Sequence, residues 1–341
     1  MTGLSFGFVD TAVDPICAVD YGVRAEKTGF HTLWVPDHFT DIDGDKVEPW
    51  TILANVGAET RRIMLGSAVT DTQRSHPART AHAVACLDAL SRGRAILGIG
   101  AGEAMNIVPF GLPWDSPDDR VLRLDEAIRV IQLLWNSSRD ERKNFSGRFY
   151  RLENAFLSLS PKRKPHPPIY VGAFSSKKTL EIAGRLGDGW YSWLNTPETF
   201  KKRWAIIQVA SQSKRRIVPC SHLMVAFPRS SEEKRLALLG GKTQLLVERS
   251  VLKTLGYSHQ LPQYQHITTG RDDVKRIMIE AQKIPDEFVY RTMALDRSSV
   301  EDRIEELARV GVRHFAIADL LAPKTVRRTL TFFKGIIKRY S

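Results

Sequence analysis

The residues best suited to chemistry stand in three short runs. WVPDHF (34–39) sets the carboxylate of Asp37 beside the imidazole of His38. An imidazole exchanges a proton near neutral pH, as oxidation of an alcohol or reduction of a carbonyl requires. GAGEAMN (100–106) carries Glu103 on a glycine turn, with Asn106 three residues on. Absent side chains there let a flat ligand approach the backbone, and a glutamate whose pKa is raised by burial can act as a general acid. VGAFSSKK (171–178) offers backbone N–H groups and two serine hydroxyls at a helix start, with Lys177 and Lys178 adding charge. Such a turn holds phosphate. Each run has a plainer explanation too: Asp37 caps the next helix, His38 is a satisfied surface histidine, Glu103 is a solvated loop residue, and the serine is an ordinary N-cap. Trp34, Trp190 and Trp193 either wall a pocket or fill the core. Asn195 and Asp319 are either site residues or helix caps.

Two tempting motifs fail. GIGAGEAMN (98–106) does not read as GxGxxG, because the last position falls on Glu103 or on Met105. GGKT (240–243) is no phosphate loop, because the first glycine of that pattern would be Leu236 and no strand precedes it. NSS (136–138) and NFS (144–146) match the glycosylation sequon, which has no meaning without secretion.

The elements that position these runs alternate along the chain. LSFGFV (4–9), HTLWVP (31–36), IMLGSAV (63–69), RAILGIG (94–100), PPIYVGA (167–173), GWYSWL (189–194), RIVPCSHLMVAF (216–227) and RHFAIAD (313–319) read as strands. Helical patterns separate them: 15–28, 48–59, 76–91, 121–135, 176–187, 197–211, 298–311 and a closing helix from Lys324. A Ser cap with Glu three residues later is expected to open the helix at 298. NFSGRFYRLENAFLSLS (144–160) reads as an inserted hairpin, and 229–290 as mostly helical with a break near LPQYQHITTG (261–270). Eight strand–helix units predict one (β/α)8 TIM barrel, with insertions near 103–119, 136–166 and 229–295; a doubly wound sheet with a second domain after about residue 215 is the rival. Polar clusters follow successive strands at Asp37-His38, Thr70-Asp71, Gly102-Glu103 with Asn106, Ser175-Ser176, Asn195 and Asp319. In a barrel those ends converge on one face.

Composition narrows the field. The 341 residues are 43% hydrophobic and 26% charged, which excludes disordered and collagen-like chains. No apolar run is long enough to span a membrane. The start, MTGLSFGFVDTAVDP, lacks the layout of a signal peptide, so a cytoplasmic location is expected. Cys17, Cys86 and Cys220 form neither an even set nor a CxxC pair, which predicts no disulfide framework and no metal site. Fifty basic against 38 acidic residues give a net charge of +12. The cations are spread out and no nucleic-acid motif is present, so an anionic small molecule is the expected partner rather than nucleic acid or a membrane.

WVPDHF, GSAVTDTQRSHPARTA (66–81), GRAILGIGAGEAMN (93–106), LLW (133–135), NFSGRFY (144–150) and PPIYVGA…AGRLGDGW (167–190), in this order, resemble the bacterial luciferase-like superfamily. The likeness is to the branch that uses the deazaflavin coenzyme F420, which includes methylenetetrahydromethanopterin reductases, secondary alcohol dehydrogenases and glucose-6-phosphate dehydrogenases. It is specific over about residues 1–195 and architectural beyond. The resemblance implies a luciferase-like barrel, commonly a homodimer, that passes hydride between F420 and a small substrate. By matching motif, Asp37 would contact the deazaflavin, His38 would handle the substrate proton, and Glu103 would act near the pyrimidine side of the ring with Asn106 assisting. Ala68-Val69 is where relatives carry a non-proline cis peptide behind the ring, next to Thr70. Gly100 and Gly102 would lie close to the ring, and Gly172-Ala173-Phe174-Ser175-Ser176 would bind the coenzyme phosphate. A glucose-6-phosphate dehydrogenase of this branch should show a lysine just after strand six, and YSWLNTPE has none before Lys201. The pterin reductases carry an acid in the first strand, where this chain has Val9 followed by Asp10. The alternatives are an FMN-dependent monooxygenase and a noncatalytic F420-binding barrel.

Overall fold

The computed structural model describes residues 3–42, 46–212, 216–257 and 271–340. Its strands are β1 (Ser5–Val9), β2 (Thr32–Val35), β3 (Met64–Ser67), β4 (Thr70–Asp71), β5 (Ala95–Gly100), β6 (Lys143–Ser146), β7 (Arg151–Ala155), β8 (Ile169–Gly172), β9 (Gly189–Trp193), β10 (Val218–Val225) and β11 (His314–Asp319). The helices are α1 (Pro15–Thr28), α2 (Pro49–Glu59), α3 (Pro77–Leu90), α4 (Pro117–Trp135), α5 (Lys177–Leu186), α6 (Pro197–Ala210), α7 (Ser231–Val247), α8 (Arg249–Thr254), α9 (Arg271–Gln282), α10 (Asp286–Thr292), α11 (Arg297–Arg309) and α12 (Val326–Tyr340). Parallel pairing runs β3-β2-β1-β11-β10-β9-β8-β5, and β5 returns to β3, so the sheet closes into the expected barrel. The open-sheet rival is excluded by that closure. β4 is a short continuation of β3 that pairs with β5, and β6 with β7 forms the inserted antiparallel hairpin.

Local chemistry explains the element boundaries. Asp14 accepts a hydrogen bond from the Cys17 N–H at the start of α1, Pro15 occupies the first turn, and Gly29 ends the helix at φ 106°. Three expectations need correction. α4 begins at Pro117 rather than 121, because Ser116 caps it by accepting from the Asp119 N–H. α11 is opened by Asp296, whose carboxylate and Ser299 cap each other reciprocally, not by a serine with a glutamate. The third strand does not run through 63–69: a cis peptide at Ala68-Val69 divides β3 from β4. The break expected at 261–270 lies outside the described residues.

Two packed regions hold the barrel. Outside the strands, Phe6, Phe315 and Phe333 join the apolar faces of the helices, and Trp190 stacks between Phe200 and Trp204. Inside, the floor is filled by Trp34, whose ring meets Tyr170 and Tyr191 edge-on with centroids 5.2 Å apart and whose Nε1 donates to His314 Nε2 at 3.1 Å. Glycine makes that filling feasible. A Cβ on Gly66 would stand 2.4 Å from the indole, and one on Gly7 2.5 Å. Burial pushes the His314 imidazole down to about 3, so it remains neutral and can accept the indole proton.

Candidate active site

Above the aromatic floor, at the C-terminal ends of the strands, lies a cavity of about 930 Å³. Every site residue expected from sequence lines it: Asp37 and His38 after β2; Ala68, Val69 and Thr70 at the β3–β4 break; Gly100, Gly102, Glu103 and Asn106 after β5; and Gly172, Ala173, Phe174, Ser175 and Ser176 after β8. Trp193 and Asp319 also border it, whereas Trp34 and Trp190 are core and Asn195 is not part of the wall. Asn195 is no helix cap either, since Thr196 caps α6; it donates to Ser192 and Ser221 and accepts from Arg203. Asp319 ties down the loop after β11 through Thr325, Thr329 and the Leu321 N–H.

His38 is oriented by Asn106. The Asn106 carbonyl oxygen accepts the backbone N–H groups of Phe39 at 2.7 Å and Thr40 at 3.2 Å, which turns its amide nitrogen toward His38 Nδ1 at 2.9 Å. An amide nitrogen can only donate, so the neutral imidazole receives this bond on Nδ1 and carries its proton on Nε2. Glu103 Oε2 lies 3.6 Å from the same Nδ1. The surrounding walls raise the Glu103 carboxyl pKa above its ordinary value, and His38 opposes the rise. The side chain is still 46% open to solvent, which damps the effect.

Asp37 belongs to a buried ion cluster. Its Oδ1 lies 3.0 Å from Arg74 Nη2, the same guanidinium pairs with Asp71, and Arg74 also donates to the Asp37 backbone oxygen at 2.8 Å. Burial raises the Asp37 pKa while Arg74 and Thr70 oppose it. The plain capping role for Asp37 is excluded, because Glu48 caps α2. The Arg74 guanidinium centre lies 4.7 Å from the Phe39 ring centroid, completing a rim that links the loops after β2 and β4.

The Ala68-Val69 turn projects a shelf into the barrel. Cβ atoms on Gly100 and Gly172 would stand 3.0 and 2.9 Å from Val69 Cγ2, and one on Gly98 would stand 1.9 Å from the Ser67 carbonyl oxygen. These glycines therefore make room for Val69 and its neighbours. Gly100 and Gly172 also line the cavity itself. Gly102 serves a third purpose, turning the chain at φ 88° to present Glu103.

At the β8–α5 end, Ser176 caps α5 by accepting from the Thr179 N–H. Lys177 and Lys178 point elsewhere, pairing at exposed positions with Glu181 and Asp118. The cation that lines the cavity beside this turn is Arg120, held over the Trp114 ring at 3.9 Å and bonded to the Asp115 backbone oxygen. Sequence reasoning missed Arg120 and Lys46, which line the cavity, and Arg74 behind it, although Arg74 lies within the run 66–81. It also missed Tyr191, His222 and Met224, which read as strand core.

Together these features define a class: a closed (β/α)8 barrel with a deep cavity at its C-terminal rim, lined by a carboxylate–imidazole pair and a helix N-terminus. The chain belongs to the luciferase-like monooxygenase family, whose model matches residues 7–314. It is 41% identical over 175 residues to an F420-dependent glucose-6-phosphate dehydrogenase of Kineococcus radiotolerans, covering 50% of each chain. It is 34% identical over 238 residues to a phthiodiolone/phenolphthiodiolone dimycocerosates ketoreductase of Mycobacterium sp. (strain JLS), covering 62% of this chain and 61% of that one. The chain spans about half the length of the curated relatives it matches. An F420-dependent secondary alcohol dehydrogenase in complex with an F420-acetone adduct superimposes with a TM-score of 0.81 at 22% identity over the whole of both chains. The coenzyme F420-dependent tetrahydromethanopterin reductase of Methanopyrus kandleri does so with a TM-score of 0.80 at 20% identity. At these identities the likeness is one of fold.

Proposed function

We propose that this protein is a coenzyme F420-dependent oxidoreductase that transfers hydride between the deazaflavin and a small organic substrate of the alcohol/carbonyl or methylene-pterin type. The observation that carries the reading is the convergence of the Val69 shelf, the Asn106-oriented His38 and the α5 N-terminus on one cavity of about 930 Å³. That volume suits a tricyclic ring together with a small substrate. The names of the F420-dependent glucose-6-phosphate dehydrogenases among the curated relatives support F420 as the coenzyme.

The residues present fit such a coenzyme. Val69 would back the ring, and the Gly172–Ser176 turn with Arg120 would hold the phosphate. When bound, F420 supplies a ring carbon that gives or takes hydride. The protein holds His38 with its proton on Nε2; in reduction that proton passes to the substrate oxygen while Nδ1 takes a replacement from the Glu103 carboxyl 3.6 Å away, and in oxidation both protons move back. Glu103, with its carboxyl pKa raised, is the second proton carrier. The Asp37–Arg74–Asp71 cluster fixes the loop that presents His38. Trp193 borders the cavity at the end of β9, and no lysine follows before Lys201, which supports an uncharged organic substrate over a sugar phosphate.

We read the chain as one barrel unit, a reading supported by the pairing of β1 with β11. We also read it as cytoplasmic, and as a homodimer, the latter being what the family resemblance implies. Among the described residues no helix is long and apolar enough to cross a membrane.

Equilibrium titration with F420 and with FMN tests the reading. F420 binding with hydride transfer to a ketone is the expected result; tight FMN binding without F420 affinity, coupled to oxygen consumption, would replace it with the monooxygenase alternative. F420 binding without hydride transfer across a broad substrate screen, and unaltered in His38→Ala and Glu103→Ala variants, would point to a noncatalytic coenzyme-binding barrel.

A further inference from the structure

The cavity extends beyond the acid–base pair along one face of α7. That helix begins beside α12, where Glu233 pairs with Arg328 at 2.8 Å. It ends at Glu248, which with Asp41 adds to the rise that burial produces in the Glu103 pKa. α7 therefore crosses the rim from the β11 side to the proton-handling side. Its two faces differ. Ala237, Gly241 and Leu245 are buried, and a Cβ on Gly241 would stand 2.7 Å from Val289 Cγ1 of α10. Leu236, Leu239, Thr243 and Val247 stand at helical spacing on the other face and line the cavity. At the rise of an α-helix, Leu236 and Val247 are about 16 Å apart.

Other segments add apolar surface to the same cavity: Val13 after β1, Met278 on α9, and Leu320 with Leu321 after β11. Val13, Leu236 and Met278 are 46%, 38% and 37% exposed. One exposed apolar side chain is ordinary, but three from separate segments bordering one cavity form a patch that calls for a partner. The charges at the start of α7 answer one another. Glu233 pairs with Arg328, and Glu232 is held low in pKa by Arg235 and Lys324. From Leu236 to Val247 the cavity-lining residues of α7 carry no charge. An ionic group laid there would lose its hydration without gaining a counter-charge. The groups suited to a coenzyme phosphate, Arg120 and the α5 N-terminus, stand elsewhere, which leaves this face of α7 to the other reactant.

We propose that the substrate is an uncharged ketone or secondary alcohol bearing an extended apolar chain, its oxygen at His38 and its chain laid along α7 from Val247 toward Leu236. This rests on the oxidoreductase reading for the reaction, and it names the substrate class that reading leaves open. In reduction the carbonyl carbon receives hydride and its oxygen the His38 proton, so the ketone becomes a secondary alcohol as reduced F420 is oxidised. The chain takes no part in that step; it contributes binding by leaving water for the apolar face of the helix.

The test uses the full protein with 2-butanone, 2-heptanone and 2-undecanone. Turnover is followed with reduced F420, and ketone affinity by calorimetry with and without the coenzyme. Both kcat/KM and affinity should rise about threefold for each added methylene. Leu236→Glu, at the far end, should cut the preference for 2-undecanone over 2-heptanone about tenfold. Val247→Asp should do the same to the preference for 2-heptanone over 2-butanone. Val209→Glu, on α6 at a position 80% exposed and outside the cavity wall, should leave both preferences as they are and so exclude a general surface effect. Leu236 lies at the surface, so if Val247→Asp misfolds the first ratio decides. Turnover of 2-butanone with no dependence on chain length, or preferences untouched by Leu236→Glu, overturns the α7 assignment and keeps the oxidoreductase reading. Affinity that follows chain length and responds to Leu236→Glu, with no hydride transfer to any ketone, overturns that reading and keeps the assignment. Absence of both turnover and ketone binding removes the two together.

Discussion

The two walls of the cavity are built on opposite principles. The wall from the loops after β2, β4 and β5 is charged, and its charges answer one another: Arg74 holds Asp37 and Asp71, and Glu103 lies beside His38. The wall from β9 and β10 is neutral, and two of its polar atoms, Trp193 Nε1 and His222 Nε2, are buried without a hydrogen-bond partner among the described residues. A buried charge without a partner destabilises a protein severely, so the first wall must satisfy itself before any ligand arrives. A neutral polar group costs far less to leave unpaired, so the second wall can tolerate these two. Self-contained charge on one side and unpaired neutral groups on the other set the proton-handling wall apart from its opposite.

The contrast can be broken most directly at Arg74. Arg74→Met strands two buried carboxylates and should lower unfolding stability by about 3–5 kcal/mol near pH 7, read by urea denaturation. A loss below about 1 kcal/mol would show that the charged wall does not depend on this pairing. His38→Ala should reduce kcat about a hundred- to a thousandfold while leaving F420 affinity within about threefold, which separates proton handling from binding.

The neutral wall gives a pH signature. The folded-state pKa of His222 is depressed to about 4 from an ordinary 6.5, so its contribution to stability is present above 6.5 and is lost as pH falls toward 4. Allowing for the ring's partial contact with solvent, the loss is about 2 kcal/mol. His222→Phe should flatten that part of the stability curve; an unchanged curve would mean that the imidazole is not held neutral. The smallest effect is expected at the phosphate end. Ser176→Ala removes the α5 cap, should cost about 1 kcal/mol by thermal unfolding, and should leave His38-dependent chemistry intact.

The charged wall was the more legible in sequence. Asp37 and His38 are adjacent, and Glu103 and Asn106 share one turn, so local spacing already suggested a joint purpose. Alternating strand and helix patterns likewise predicted the barrel, because core-facing periodicity survives in a single chain. Arg74 was not legible: it follows Asp71 in a polar loop, and only folding brings the preceding strand's Asp37 to the same guanidinium. The neutral wall was harder still. Trp193 and His222 meet through the parallel register of β9 with β10, and each alone reads as core filling. The division of the third strand was expected only through family resemblance, since IMLGSAV is a continuous apolar run with no sign of a turn. At α11, Ser299 and the glutamates behind it obscured Asp296, the true cap.

The indole of Trp34, fitted between Gly7 and Gly66, stoppers the far end of the barrel. Among the described residues that end is shut, so a partner seated against the stopper comes in past the strands' C-terminal rim, and a second molecule bound above it would bar its exit. Turnover with two reactants should then follow a compulsory sequence, a pattern that product-inhibition kinetics would reveal.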